Sequence, residues 1–382
     1  MMLQLCVSQQ TNETPFIFQS TGISVYSFEE AVYHVFHYWR ESVDDFLSEA
    51  MITWVSELGL SFIASKMKDI AKEENLTTRI LNFLHLIEYF EPNELINLHA
   101  TLMAWEQRRE WEQLKERADL LVERGEPLKA LSFYTQALKL EENAPLLNNI
   151  GVASMQLSSL NNALRYLGHA HSLDPQNVSI MLHYAEAAIL CNQFESAKKM
   201  LSNISTTNCA NIPYLHGLLA YEQQDYALAL TFYEQAIKLD PATTHYAYKM
   251  VDAYMAMHQY EMALSILSKV KNTNANYYTK EAEIHAAAGN IKASLSCMRK
   301  AAENTNNANV WAKLAEYYRQ DNDWNNAEKA ISHALRLAPE NNKIQLEAIR
   351  IKKGLGRTRE YQAELSELLK GLKKQYRTDR RH

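Results

Sequence analysis

One spacing in this sequence constrains the fold more than any other feature. Small residues recur every 31 to 34 positions over most of the chain. They are Ala130, Ala163, Ala197, Ala229, Ala263, Ser294 and Ala327. A second set of small or β-branched residues follows seven positions after each of these: Ala137, Ala170, Ile204, Ala236, Val270, Ala301 and Ala334. A fixed period of this length indicates stacked supersecondary units, each of which buries its apolar face only against its neighbours.

The repeated unit is expected to be a pair of helices. The chain of 382 residues contains 10 Gly and 8 Pro, too few for the turns of an all-β fold. Apolar residues inside the units recur at helical spacing, as an antiparallel helical hairpin requires. Pro175, Pro241 and Pro339 stand where a unit ends, and proline cannot continue a helix. The composition and the period together predict an all-α chain.

The unit at residues 308–341 shows a recognisable pattern most fully. Its matching positions are Trp311, Leu314, Ala315, Tyr318, Ala327, Ala334 and Pro339. Residues 210–243 match the same pattern through Gly217, Ala229, Tyr233, Ala236 and Pro241. Small residues let two helices cross closely, and large aromatic side chains fill the space beside them. The chain thus resembles the tetratricopeptide repeat family, which implies a right-handed superhelical solenoid that binds other proteins.

Four regions are predicted along the chain. They are an acidic α-helical N-terminal bundle at 1–107, seven repeat-like helix pairs at 108–341, a degenerate capping helix pair at 342–369 and a basic flexible tail at 370–382. The seven pairs are assigned to 111–143, 144–177, 178–209, 210–243, 244–274, 275–307 and 308–341. In the capping pair, Gly356 falls at the expected turn, but Tyr361 replaces the small crossing residue.

The N-terminal region does not share the period. Residues 1–27 are expected to be extended or irregular, and Ser27 with Glu30 predicts a capping box at the start of the first helix. Helices are predicted at 28–41, 43–58, 60–73 and 76–90, followed by one long helical stretch from 93 to 124. The apolar residues predicted to form its core are Val32, Val35, Phe36, Trp39, Phe46, Trp54, Val55, Leu58, Phe62 and Ile63.

Charge is unevenly distributed along the sequence. Residues 1–107 carry 5 Lys and Arg against 15 Asp and Glu, a net charge of −10, whereas residues 343–382 carry 12 against 5, a net charge of +7. Each charged set could simply solvate a terminal surface, dock a partner, or join copies of the chain in a head-to-tail homo-oligomer. The basic C-terminal segment could touch phosphate or anionic lipid non-specifically, but such a tail more often only aids solubility, and no specific nucleic acid is expected.

The cysteines and the hydropathy favour a cytoplasmic protein. Cys6, Cys191, Cys209 and Cys297 are widely separated and form no CxxC pair, which is typical of reduced thiols. The N-terminus has neither a basic segment nor a sustained apolar stretch, so we expect no signal peptide. No apolar run approaches the roughly 18 residues that a membrane span needs.

The sequence predicts a protein that is not an enzyme and holds no cofactor. The sequence has no Gly-rich phosphate loop, nucleophile elbow or HExxH zinc motif. His34 and His37 share a helix face, but no third ligand stands near them, so we expect ordinary half-buried histidines and no metal site.

In the family that this chain resembles, the first helix of each pair lines a concave groove. Carried onto the middle units, the groove positions are Asn148, Val152, Met155, Leu182, Glu186, Ile189, Tyr214, Leu218, Tyr221, Tyr248, Asp252 and Met255. Tyrosine offers a large contact area at a low cost in side-chain entropy, so an apolar, Tyr-lined groove suits a peptide or helix of a partner protein. The ninth position of the unit is acidic in Asp119, Glu186, Asp252, Glu283 and Glu316, which favours a partly basic ligand.

Some family members clamp a peptide's terminal carboxylate with Lys and Asn residues from consecutive units. Lys115 and Asn149 fit two of those positions, whereas Asp119, Ser179 and His183 depart from the pattern. A carboxylate clamp is therefore not expected.

The leading hypothesis is an adaptor or scaffold that binds a peptide or helix in the groove. Two alternatives remain open: a peptide-sensing regulatory protein that acts on a response regulator or another signalling protein, and a secretion or assembly chaperone. The acidic N-terminal helices argue against DNA contact in the regulatory version.

Overall fold

The computed structural model describes residues 14–87, 89–205, 208–271, 273–339 and 341–379. Within these residues the chain forms two short strands and 21 helices, which confirms the predicted all-α repeat architecture. The chain divides into two compact units, the first ending at Ile204 and the second beginning at Ser205. The border lies among the repeats and not after residue 107, and each unit is described by itself below.

The first unit begins with a β-hairpin and five helices. Strands β1 (Phe16–Phe18) and β2 (Ile23–Val25) pair antiparallel, with Phe16 opposite Val25. The helices are α1 (Phe28–Ser42), α2 (Glu49–Glu57), α3 (Ser61–Ile70), α4 (Leu76–Leu84) and α5 (Pro92–Glu106). At the start of α1, the Ser27 hydroxyl accepts the Glu30 N–H at 3.2 Å, and the Glu30 carboxylate accepts the Tyr26 N–H at 2.6 Å. These bonds satisfy N–H groups near the start of the helix.

Aromatic side chains dominate the core of this region. Phe28 meets Phe83 with ring centroids 5.8 Å apart, and Trp39 meets Trp105 edge-on at 5.2 Å. Seven of the ten predicted core residues are buried, and two more, Phe36 and Ile63, are partly buried and pack against this core. Phe62 was wrongly predicted: its side chain is 74% exposed, and the Lys66 ammonium lies over its ring at 5.1 Å. As the second residue of α3, Phe62 lies on the helix face opposite the buried Ala64 and Met67.

The long helical stretch predicted from 93 to 124 is interrupted. Helix α5 ends at Glu106, and α6 (Glu110–Glu123) begins after a short turn. The Glu112 carboxylate accepts the backbone N–H of Arg109 at 2.9 Å, which satisfies a donor at the start of the new helix. The Gln113 amide donates to the carbonyl of Trp105 at 3.1 Å and so ties α6 to the end of α5.

Ion pairs join α1 and the loop after it to α6, the first helix of the repeats. Arg40 pairs with Glu116 at 2.9 Å, Arg124 pairs with the buried carboxylate of Glu41, and Arg117 pairs with Asp44. The Arg124 guanidinium also lies 4.5 Å from the centre of the Tyr38 ring. Arginines of α6 thus neutralise part of the acidic charge of the N-terminal region, and they hold that region to the first repeat.

The remaining helices follow the predicted repeats. In the first unit they are α6, α7 (Pro127–Leu140), α8 (Ala144–Gln156), α9 (Leu160–Leu173), α10 (Val178–Leu190) and α11 (Phe194–Ser202). In the second unit they are α12 (Asn211–Glu222), α13 (Tyr226–Leu239), α14 (Thr244–Ala256), α15 (Tyr260–Leu267), α16 (Ala275–Ala287), α17 (Ile291–Glu303), α18 (Ala308–Gln320), α19 (Trp324–Leu337), α20 (Asn342–Gly354) and α21 (Thr358–Asp379). All seven small residues that defined the period, from Ala130 to Ala327, are fully buried.

A left-handed residue closes the first helix of every pair. These residues are Gly125 (φ 79°), Ser158 (57°), Asn192 (59°), Gln224 (65°), His258 (57°), Gly289 (79°), Asn322 (61°) and Gly356 (78°). The N–H of the next residue reaches back five positions, as from Gln193 to the Ala188 carbonyl at 2.8 Å and from Asp225 to the Ala220 carbonyl at 2.9 Å. This is the Schellman motif, which satisfies carbonyls at a helix end. Five of the eight positions are not glycine and carry the steric cost of this conformation.

The C-terminal helix is longer than the predicted capping pair. Helix α21 continues to Asp379, through most of the segment predicted to be the flexible tail, while 380–382 lie outside the described residues. Among the described residues, no helix combines the length and the apolar character that crossing a membrane requires.

Candidate functional site

Within each unit, the first helices of successive pairs contact one another through polar side chains. In the first unit, Asn149 of α8 donates to Asp119 of α6 at 2.8 Å, and Asn148 of α8 bonds His183 of α10 at 2.8 Å. We call the facing residues of these helices the first wall: Lys115, Asp119, Asn148, Asn149, Val152, Met155, His183 and Glu186. The family resemblance assigns this face to the groove.

The second unit has a corresponding surface. Tyr214 of α12 bonds His245 of α14 at 3.0 Å, and Lys280 of α16 donates to Asp252 of α14 at 3.0 Å. We call the facing residues of α12, α14 and α16 the second wall: Tyr214, Tyr221, Tyr248, Asp252, Met255, Lys280 and Glu283. The two walls belong to different units and are treated separately.

The polar groups of the first wall bond mainly to one another. Asp119 receives the Lys115 ammonium at 2.7 Å, the Tyr134 hydroxyl at 2.6 Å and the Asn149 amide at 2.8 Å. Lys115 and Asn149 are the two residues that fit a carboxylate clamp. Both already donate a hydrogen bond to the carboxylate of Asp119. A ligand carboxylate would have to displace Asp119 to reach them.

His183 does not supply the positive charge that a clamp needs. Burial lowers the pKa of His183 below its ordinary value, so the ring is neutral near pH 7. It bonds the Asn148 side-chain oxygen at 2.8 Å, which requires the Nδ1 atom to carry the proton. The first wall is thus a polar surface whose donors and acceptors are largely satisfied.

Several predicted groove residues are buried instead of lining a surface. Ile189 is completely buried, and Leu182 is 8% exposed. Helix α10 buries seven of its 13 residues because it is apolar on most of its faces. The assignment of Ile189 to the groove is therefore corrected, since its side chain is part of the interior. Val152, Met155 and Glu186 are half-buried on the first wall.

In the second wall, burial separates structural tyrosines from available ones. Tyr214 is 7% exposed and packs its ring near those of Tyr233 and Tyr246, at 6.2 and 5.5 Å, and Leu218 is 3% exposed. Tyr221 and Tyr248 are half-buried, as is Met255. Tyr214 and Leu218 therefore pack in the interior beneath the second wall. Tyr221, Tyr248 and Met255 present apolar surface to solvent.

The hydroxyls of the available tyrosines remain protonated. Burial, reinforced by the Asp252 carboxylate, raises the pKa of Tyr221 above its ordinary value. Burial also raises the pKa of Tyr248. Both side chains therefore offer a ligand an aromatic face together with a hydrogen-bond donor.

The predicted row of acids is largely paired inside the chain. Lys280 contacts both Asp252 at 3.0 Å and Glu283 at 2.8 Å, and Lys313 lies 3.6 Å from Glu316. Burial alone would lower the pKa of Lys280, but Glu283 and Asp252 outweigh it and hold that pKa above its ordinary value. Two carboxylates share one ammonium at Lys280, so this part of the second wall keeps one surplus negative charge.

Two equivalent tyrosines differ between the units. Tyr134 and Tyr233 are both fully buried on the second helix of their pair and stand 99 positions apart, three repeats. The Tyr134 hydroxyl donates to Asp119 at 2.6 Å. The residue equivalent to Asp119 in the later repeat is Leu218, and the Tyr233 hydroxyl has no hydrogen-bond partner among the described residues.

The histidine pair considered from the sequence is structural. His34 is buried, its ring lies 4.0 Å from that of Phe18, and its Nε2 is 3.2 Å from the Thr21 hydroxyl. Burial, with smaller contributions from Arg124 and His37, lowers the pKa of His34 to about 4. In the part of the chain that the structure describes, a different trio has the spacing of metal ligands, namely Glu281, His285 and Cys297. No local sequence motif marks this trio, because Cys297 lies on the helix that follows Glu281 and His285.

Comparisons with known proteins agree with the repeat pattern. A family model described as tetratricopeptide repeat matches residues 154–221 and 220–286, and a second model of the same description matches 308–341. Tetratricopeptide repeat protein 16 of Macaca fascicularis is 25% identical over 171 residues, which cover 42% of this chain. The human protein of the same name is 24% identical over 171 residues. The matched segment covers 18% of the length of each of these two relatives.

Solved structures of repeat proteins are also similar. A tetratricopeptide repeat protein from Parabacteroides merdae has a TM-score of 0.48 and 17% identity, covering 64% of this chain and 98% of that one. The Cut9–Hcn1 hetero-tetramer of the APC/C contains a chain with a TM-score of 0.39 and 15% identity, covering 85% of this chain and 73% of that one. The family models thus match the repeats within residues 154–286 and 308–341, and the helix pairs of the structure have the architecture of tetratricopeptide repeats.

Proposed function

We propose that this protein is an interaction adaptor or scaffold and that a peptide or helix of its partner lies on the second wall. The observation that carries this proposal is the half-buried surface of Tyr221, Tyr248 and Met255. Aromatic side chains that are rigid and partly exposed are typical anchors of protein interfaces. The first wall lacks such anchors, and most of its polar groups already bond to one another.

The ligand that fits the second wall combines apolar and basic groups. Apolar side chains would pack on the two tyrosine rings and the Met255 thioether. A Lys or Arg of the ligand would find the surplus negative charge of Asp252 and Glu283 beside Lys280. Such a charge favours selectivity and the rate of association more than affinity.

Two further assignments belong to the same proposal. A cytoplasmic location accords with the free thiols of Cys191, Cys209 and Cys297. A homo-oligomer through oppositely charged ends is less favoured, because Glu41 and Asp44 of the acidic region already pair with arginines of α6. The repeats themselves account for protein binding without self-association.

A capture experiment tests the adaptor function. The full chain is immobilised, and proteins retained from a lysate of its source are quantified by mass spectrometry for the wild type and for the double variant Tyr221→Ala/Tyr248→Ala. Tyr361→Ala, which removes a half-buried tyrosine from α21, is the matched control. A partner lost with the double variant and kept by the control supports the proposal, whereas equal recovery with all three proteins contradicts it.

A further inference from the structure

Three potential metal ligands converge in the sixth repeat, away from the contacts that form the second wall. Glu281 and His285 are four residues apart on α16, so they share one helix face. Cys297 lies on α17, the second helix of the same pair. One oxygen, nitrogen or sulfur atom of each residue lies within 4.8 Å of the others.

The spacing of these atoms is close to that of an occupied site. The Cys297 sulfur is 3.3 Å from an oxygen of Glu281. In tetrahedral zinc sites, Zn–S bonds of about 2.3 Å and Zn–O bonds of about 2.0–2.2 Å place the sulfur and the oxygen roughly 3.5 Å apart. The thiol and the carboxylate are therefore nearly at the required separation, and a ring nitrogen of His285 lies within 4.8 Å of both as the third ligand.

The chemistry of the three donors selects the ion. Thiolate and imidazole ligands suit Zn²⁺ and similar transition metals, whereas Mg²⁺ and Ca²⁺ prefer sets of oxygen ligands. Cys297 is buried at 8% exposure, while Glu281 and His285 are half-buried. An ion would thus enter from the side of α16 and bind the sulfur at the bottom of the site.

We propose that Glu281, His285 and Cys297 bind one Zn²⁺ ion, which ties α16 to α17. Three protein ligands leave the fourth tetrahedral position to a water molecule or to a side chain of a partner. The thiol proton is released to solvent as the Zn–S bond forms. Because the ion binds the folded pair and joins its two helices, it stabilises the second unit by a free energy that rises with the logarithm of the ion concentration.

Cobalt binding provides the direct test. The untagged full chain is titrated with Co²⁺, and the near-ultraviolet absorption that a thiolate–cobalt bond produces is recorded. We expect one Co²⁺ per chain, displaced by Zn²⁺. Cys297→Ser should abolish the absorption, and Glu281→Gln and His285→Asn should weaken binding by more than the roughly 10–100-fold that outer-shell changes cost. Cys209→Ser and Cys191→Ser, which remove free thiols elsewhere, are controls and should bind like the wild type.

Three results would overturn the site: no thiolate–cobalt absorption, the same absorption in Cys297→Ser, or its loss in Cys191→Ser or Cys209→Ser. Because Cys297 is buried, its replacement can also disturb the packing of α17. The half-buried His285 gives an independent criterion, since its variant leaves the interior intact. Zn²⁺ should raise the melting temperature of the wild type and not that of His285→Asn, and equal shifts in both would contradict the proposal.

Discussion

The first and second walls are built from the same helix of the repeat, yet they present different chemistry. In the first wall, Asp119 gathers Lys115, Tyr134 and Asn149, so the polar groups are satisfied within the chain. In the second wall, Tyr221 and Tyr248 are half-buried and leave aromatic surface for a ligand. The repeat thus decides where a wall forms, whereas hydrogen bonds within and between repeats decide which of its side chains are already paired.

The largest expected effect on stability compares a tightly packed helix glycine of the second unit with a loosely packed one of the first unit. A Cβ atom at Gly217 would stand 2.6 Å from the Tyr233 ring, whereas one at Gly168 in the first unit would meet its nearest atom, in Tyr184, at 3.4 Å. Gly217→Ala should therefore destabilise the protein by about 1–3 kcal/mol through overpacking. Gly168→Ala should stabilise it by up to about 1 kcal/mol, because alanine favours the helix.

Urea denaturation of both glycine variants measures these changes in the free energy of unfolding. If the two substitutions had the same sign, the close approach of the Tyr233 ring to α12 would not be what opposes a side chain at position 217.

The next effect concerns the two equivalent buried tyrosines. Tyr134→Phe removes a hydrogen bond to the Asp119 carboxylate and should cost about 1–2 kcal/mol, since bonds to charged groups are the stronger ones. Tyr233→Phe removes a hydroxyl that has no partner among the described residues, so it should be neutral or stabilising. The melting temperatures of the two variants give the comparison. A larger loss for Tyr233→Phe would show that the second wall hides a hydrogen bond of its own.

The smallest effect should be the same in both units, because the left-handed turns are shared. Ser158→Gly in the first unit and Gln224→Gly in the second relieve φ angles of 57° and 65°. Each should stabilise the chain by about 0.5–1 kcal/mol, a net value that includes the greater entropy glycine gives to the unfolded chain. Gly289→Ala, at φ 79°, is the reverse control and should destabilise. The urea denaturation midpoints of the three variants measure these changes. If Ser158→Gly and Gln224→Gly shifted the midpoint in opposite directions, the left-handed turns of the two units would not carry the same conformational cost.

The period of the sequence predicted the helix pairs because crossing helices tolerate only small residues, and every one of those positions is buried. It did not predict the left-handed turns at Ser158, Gln224 and His258, since these residues rarely adopt that conformation and glycine marks only some repeats. At the interruption after Glu106, side-chain contacts of Glu112 and Gln113 bond the backbone at the turn, and helical periodicity does not register them.

The candidate site was predicted less well than the fold. Groove positions taken from the family's pattern included Ile189, which lies in the interior because α10 is apolar around most of its circumference. The row of acids was visible in the sequence, but its pairing with Lys115, Lys280 and Lys313 depends on side-chain geometry within and between helices. Of these pairs, Lys280–Asp252 joins adjacent repeats, which no local motif connects, whereas the others lie three or four residues apart on one helix.

The central claim is that the second wall, and not the first, holds the partner. Isothermal titration of a captured partner with Tyr221→Ala/Tyr248→Ala and with Asn148→Ala/Met155→Ala tests it directly. Loss of two aromatic anchors should weaken affinity at least about tenfold, because such residues commonly cost more than 1 kcal/mol each when truncated. The first-wall variant should bind within about threefold of the wild type, as near-neutral interface positions do. A greater loss for the first-wall variant would contradict the account.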